Sequence, residues 1–184
     1  MTIITVDELN AYTENYEASD LKTYYIETAQ SIIEDYIGYA LTADDYTEII
    51  VGKPILLGAM PINSVDSFTI DDEELDSLDY SINRNELIVY DDEVDVALTK
   101  TSDIEVTYNA GYSAASSVPS AMKVVALKIA SLLLMEEGGN IGVTGVSTPD
   151  GLGRTFLNYN NYSKHLKLLK KYRIVRFGTD VQKL

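Results

Sequence analysis

Cysteine and tryptophan are absent from this 184-residue chain, histidine occurs once and proline four times. Without Cys there is no disulfide framework, no thiolate nucleophile and no Cys-ligated zinc, which fits synthesis in a reducing cytoplasm. With one His, any Ser/His/Asp arrangement would have to be built on His165, whose neighbours Lys164 and Lys167 lower its proton affinity without orienting it. No catalytic residue, metal-ligand set or cofactor motif is assigned. Long apolar runs are missing too: Ala121 to Met135 is broken by Lys123, Lys128 and Ser131, and it falls short of the ~18 to 20 residues needed to cross a bilayer. The opening MTIITVDELNAY has no basic region followed by an apolar one, so no secretory signal is expected.

What the chain does have is charge, divided unevenly. Residues 161–184 hold seven of the fourteen Lys and Arg (Lys164, Lys167, Lys170, Lys171, Arg173, Arg176 and Lys183) and one acid, Asp180, a net of +6 against −21 for residues 1–160. An acidic body disfavours general binding to nucleic-acid phosphates, because such binding relies on Lys and Arg displacing counterions. A basic tail on an acidic body points to a surface that finds the opposite sign on a neighbour.

Periodicity gives an α+β fold: a mainly helical body of about four helices with an antiparallel β-hairpin or sheet insertion. Thr5-Val6-Asp7-Glu8 has the form of a capping box, so a helix begins near Val6. Ser19 and Asp20 cap a second helix, in which Leu21, Tyr24, Tyr25, Thr28, Ile32, Ile33, Tyr36 and Ile37 recur at helical spacing before Gly38 stops it. From about 47 to 112 the period changes to two, with short β-prone runs that include Val94 to Leu98, and Asn83-Arg84-Asn85-Glu86 reads as a hairpin turn in which Asn supplies the left-handed backbone. Val118-Pro119-Ser120 opens an apolar helix running to about Glu137 and ended by Gly138 and Gly139. A last, basic helix spans about Asn161 to Tyr172, followed by an extended tail with Ile174, Val175 and Phe177. The expected organisation is one domain: N-terminal helices at 1–46, β-rich insertion at 47–112, central helix at 118–137, Gly-rich arm at 138–160, and basic helix and tail at 161–184.

Three features invite chemistry and each has a plainer account. The segment Gly138 to Gly153, with six Gly in sixteen positions, follows a helix and lacks the Gly-Lys-Ser or Gly-Lys-Thr of a phosphate loop, so it reads as an arm or intersubunit loop. The runs Asp71 to Glu74 and Asp91 to Asp95 lack the ligand pattern and central Gly of a calcium loop and read as solvated hairpin tips. The fourteen Tyr suit subunit surfaces, with the alternative that Tyr24, Tyr25 and Tyr36 are core residues of the second helix.

The order of these elements resembles the head-tail connector (adaptor, or head completion) proteins of tailed bacteriophages. Four stretches carry it: the helical pair ending Ile32-Ile33-Glu34-Asp35-Tyr36-Ile37-Gly38; Pro54-Ile55-Leu56-Leu57 with Pro61-Ile62-Asn63-Ser64-Val65; Ile104 to Tyr112, ending Tyr-Asn-Ala-Gly-Tyr, leading through Val118-Pro119 into the apolar helix; and Leu168-Leu169-Lys170-Lys171-Tyr172-Arg173. The resemblance implies a non-enzymatic, ring-forming virion subunit, a dodecamer without cofactors. Its partners would be further copies of itself, the portal protein, and the next connector or tail terminator protein, with double-stranded DNA passing through the lumen without specific binding and no membrane involved. The interface expected from the charge split comprises Arg154, Phe156, Lys164, Lys167, Lys170, Lys171, Tyr172, Arg173 and Arg176. The long Gly-rich segment departs from the family pattern. A different class, an acidic DNA mimic that occupies a host nuclease or restriction enzyme, accounts for the body's charge but not for the basic helix; a carboxylate-dependent hydrolase on the β insertion has no acid/base pair to name.

Overall fold

A threonine that caps and a glutamate that caps back start the first helix. In a computed structural model describing residues 1–16, 20–76, 80–90, 102–137, 143–146, 154–156, 161–174 and 181–183, the Thr5 hydroxyl accepts the Glu8 N–H at 3.1 Å and the Glu8 carboxylate accepts the Thr5 N–H at 2.7 Å. Helix α1 then runs Val6–Thr13 and ends at Glu14 in the left-handed conformation. The chain divides into two compact units, residues 1–37 with 115–173, and residues 38–114 with 174–184.

The first unit is helical. α2 spans Leu21–Ile37 and stops at Gly38, whose φ of +91° suits glycine. Its buried stripe is Lys22, Ile26, Ala29, Ile33 and Ile37, displaced from the tyrosine-bearing stripe that apolar spacing marks. Tyr24 is exposed and Tyr25 and Tyr36 are half-buried, so the account of Tyr24 as a core residue fails. A lysine takes the inner position because its ammonium has partners: Lys22 Nζ donates to Asn10 Oδ1 at 2.8 Å and to the Asn15 carbonyl at 2.9 Å. The charge is satisfied while the aliphatic stem is buried. Ser19, the expected cap, lies outside the described residues, as do Gly138 and Gly139.

The third helix, α3 at Ser120–Glu137, follows Pro119 as expected. Met122, Val125, Ala126, Ile129 and Ala130 are fully buried, and α3 contacts α1, α2 and the C-terminal helical segment, which makes it the centre of this unit. Within the arm at 138–160 the described residues form an antiparallel strand pair, β8 at Val143–Val146 with β9 at Arg154–Phe156. The last helix, α4, is short, Asn161–Leu166, and tightens into a 3-10 segment over Lys167–Tyr172.

The second unit is a β structure. Strands β1 (Asp44–Val51), β2 (Ile55–Leu56), β3 (Ile62–Ile70), β4 (Glu73–Glu74), β5 (Tyr80–Asn83), β6 (Glu86–Val89), β7 (Asp103–Ala110) and β10 (Val181–Lys183) form two antiparallel sheets, ordered β10-β1-β7-β3-β4 and β2-β6-β5. The central strand β7 alternates, with Ile104, Val106, Tyr108 and Ala110 buried and Asp103 and Glu105 exposed. Its register puts Ile50 opposite Ile104 and Tyr46 opposite Tyr108 on β1, and Phe68 opposite Val106 on β3. Val175 and Phe177 of the expected extended tail lie outside the described residues; further on, β10 pairs with the edge of β1. The turn between β5 and β6 is at the expected place, yet Arg84 rather than an Asn holds the left-handed position (φ +62°). Asn85 instead fixes a neighbour: its backbone carbonyl accepts the Leu57 N–H at 2.7 Å and its amide donates to the Leu57 carbonyl at 3.0 Å. Asp71 and Asp72 form the β3–β4 tip as expected; Val94 to Leu98 and Asp91 to Asp95 lie outside the described residues.

Four residues of the Tyr-Asn-Ala-Gly-Tyr stretch have separate tasks. The Tyr108 hydroxyl binds the Glu48 carboxylate and accepts the Ala59 N–H at 3.2 Å. The Asn109 amide donates to Asp45 Oδ1 at 2.7 Å and its carbonyl accepts Asn63 Nδ2 at 2.8 Å. Gly111 takes φ +111° against the Thr42 backbone, and Tyr112 donates its N–H to the Leu41 carbonyl at 2.8 Å.

Candidate assembly surface

The basic segment is shaped by its change of helix type. In an α-helix Lys167, Lys170 and Lys171 would share one face with Arg173 turned away from it, but a 3-10 segment has three residues per turn, so side chains three apart align and Arg173 continues the Lys167 and Lys170 row. Leu166, Leu169 and Tyr172 therefore share the inner row, with Leu169 fully buried and the other two half-buried. Lys167 and Lys170 form a second, exposed row, continued by Arg173, and exposed Leu168 and Lys171 form a third. Lys164 is exposed on α4 one turn earlier.

Two aromatic contacts fix the end of this segment. The Arg173 guanidinium lies 5.1 Å from the Tyr36 ring centre and Lys171 Nζ lies 4.8 Å from that of Tyr172. The structure thus brings together six of the nine expected interface residues: Lys164, Lys167, Lys170, Lys171, Tyr172 and Arg173. Arg154 and Phe156 belong to the strand β9, and their side chains, like Arg176, lie outside the described residues. Charge counting misses Leu168, a leucine 56% exposed among the lysines. Its exposure becomes legible once the three-residue repeat is known.

The acidity of His165 follows from its place beside this row. Burial, then Lys128, then Lys164 lower its proton affinity below the ordinary 6.5, so it is neutral at physiological pH. The unfolded chain binds a proton as pH falls through about 6.5 while the folded chain does not, so stability is full above that pH and declines below it, levelling out under the folded-state value. The thermal midpoint is expected to fall between about pH 7.5 and pH 5.5, with His165→Gln flattening that slope. An unchanged slope in the variant would contradict the assignment.

The remaining chemistry-bearing groups are structural in their geometry. Glu48 is completely buried on the core face of β1, its two oxygens accepting the Gly58 N–H at 2.8 and 3.0 Å and one of them the Tyr108 hydroxyl. Burial, then the Glu48 hydrogen bond and charge, push the Tyr108 phenol far up, so it remains a neutral donor. Tyr46 stacks on Tyr108 with ring centres 5.5 Å apart. Glu48 and Tyr108, both with no accessible surface, are closed to a substrate. Among the described residues no group of three or more His, Asp or Glu is placed to hold a metal ion, and no helix is long and apolar enough to cross a membrane.

A helical unit, a β unit with buried polar staples, and an exposed basic row make up an α+β protein. Residues 2–175 match the model of the head completion protein family, and the chain belongs to that family. Solved structures agree on the fold. A chain in the virion of a native gene transfer agent particle has a TM-score of 0.57 at 12% identity, over 95% of this chain and 91% of that one. A chain in the neck of the native particle, computed with C12 symmetry, scores 0.54 at 14% identity, over 94% and 89%. One in the neck of the empty particle, computed with C6 symmetry, scores 0.58 at 16% identity, over 95% and 91%. No curated protein matches the chain.

Proposed function

We propose that this chain is a non-enzymatic head-tail connector subunit that forms a ring in the neck of a tailed, phage-like particle, between the portal and the next neck or tail component. The observation that carries the reading is the family match along residues 2–175. The similar chains from necks computed with C12 and C6 symmetry support a ring, as a head-to-tail contact closes when the rotation per subunit divides a full turn. Net charges of −21 for residues 1–160 and +6 for the remainder assign two roles. The acidic body repels duplex DNA, so that the genome slides through the lumen without adhering, and the basic row docks on an acidic neighbour in the neck, either the portal or the adjacent subunit.

Converting Lys164, Lys167 and Lys170 to Gln removes three exposed charges without touching the buried Leu169 row. Incorporation of the chain into rings assembled on immobilised portal is expected to fall at least about tenfold, which corresponds to roughly 1.4 kcal/mol. Undiminished incorporation would count against the docking role, and failure of the unmodified chain to enter the neck would count against the connector reading.

A further inference from the structure

The acidic neighbour of the basic row is, we infer, the tyrosine-rich end of the helical unit of a second copy of this chain. This inference rests on the connector reading and adds which surfaces meet. From the end of α1 to the first turns of α2, four large side chains are open to solvent: Tyr12 (48%), Tyr16 (72%), Leu21 (46%) and Tyr24 (64%). Among them stand three exposed acids, Glu14, Asp20 and Glu27. The corner is held in shape, because Lys22 Nζ ties α2 to Asn10 of α1 and to the Asn15 carbonyl. Apolar area mixed with carboxylates is poor solvent-facing design for a monomer and good design for a surface that is covered.

The basic row ends at the opposite end of the same helix. Arg173 is fixed over Tyr36, twelve residues beyond Tyr24 on α2, about 18 Å along the axis at ~1.5 Å per residue. The two patches have complementary make-up: exposed Lys167, Lys170 and Lys171 flank exposed Leu168 in the chain, and exposed Glu14, Asp20 and Glu27 are interspersed in the chain with exposed Tyr12, Tyr16 and Tyr24. Their separation along α2 keeps them apart within one chain, so each finds its match on another copy. A two-fold contact that paired the patches reciprocally would close at two copies, whereas a ring needs each patch to meet a different neighbour, so the contact is head-to-tail. Tyrosine faces are also suitable receptors for lysine ammonium groups.

The absence of Cys makes the test direct. Under mild oxidation, a chain carrying Tyr16→Cys and Leu168→Cys is expected to form a ladder of disulfide-linked multimers, whereas either single substitution stops at dimers. Adding Lys167→Glu and Lys170→Glu should reduce the ladder at least about tenfold. Adding Glu14→Lys, Asp20→Lys and Glu27→Lys as well reverses both patches and should restore it, which also shows that the altered chains fold. Absence of the ladder, or a ladder indifferent to charge reversal, overturns the contact. A chain that binds portal but gives no ladder overturns the contact and leaves the connector reading standing; a charge-sensitive ladder from a chain that never enters a neck supports the contact and overturns that reading.

Discussion

Gly111→Ala is expected to prevent the β unit from folding stably. The residue has φ +111°, where L side chains rarely go, and an added Cβ would lie 2.6 Å from the Thr42 carbonyl oxygen and 2.8 Å from the Ala43 Cα. Those are backbone atoms, held by the Tyr112 N–H to the Leu41 carbonyl at 2.8 Å and the Ala43 N–H to the Tyr112 carbonyl at 3.1 Å. Neither side can yield without breaking the crossing of the 41–43 and 111–112 segments. Dihedral strain and steric overlap together place the cost at about 4 kcal/mol or more. Gly38→Ala makes the comparison, since its φ of +91° is also unfavourable but its added Cβ meets only the Ile174 carbonyl oxygen at 3.7 Å. It should cost about 1 to 2 kcal/mol. Denaturant midpoints for the two variants check this, and equal midpoints would show that the Thr42 approach is not what constrains position 111.

The second large effect concerns Glu48. Glu48→Ala leaves the Gly58 N–H and the Tyr108 hydroxyl buried without their acceptor and opens a cavity between Tyr108 and the Leu57-Gly58-Ala59 segment, at a cost of about 3 to 5 kcal/mol. Tyr108→Phe removes one hydroxyl, but that hydroxyl serves both Glu48 and the Ala59 N–H, so a loss of about 2 to 3 kcal/mol is expected. The two residues act on one network, and the double variant should cost less than the two losses added. Additive losses in a double-mutant cycle would mean that Glu48 and Tyr108 stabilise the unit independently.

These two sites mark where local pattern stops being informative. α1 and α3 are legible because their signals are local: a capping box at Thr5 and Glu8, a Pro at 119 before an apolar run. Strand β7 is legible from its alternation. Lys22 and Glu48 are not, since a charged residue at a core-facing position makes sense only once Asn15 or Gly58 arrives to meet it. Arg84 takes a left-handed position that propensity assigns to Asn, because Asn85 is needed to hold Leu57. β10 carries no such local signal, since its partner β1 lies well over a hundred residues earlier. The basic surface was visible as charge; its rows, and the presence of Leu168 among them, required the 3-10 geometry.

The central claim is that the positive row at the end of the helical unit is buried against another chain in the assembled particle. A reconstruction of the neck at side-chain resolution tests it most directly. Lys167, Leu168 and Lys170 should each lie within contact distance of a neighbouring chain's acidic or tyrosine side chains. If those three side chains face open solvent in the assembled neck, the account is contradicted.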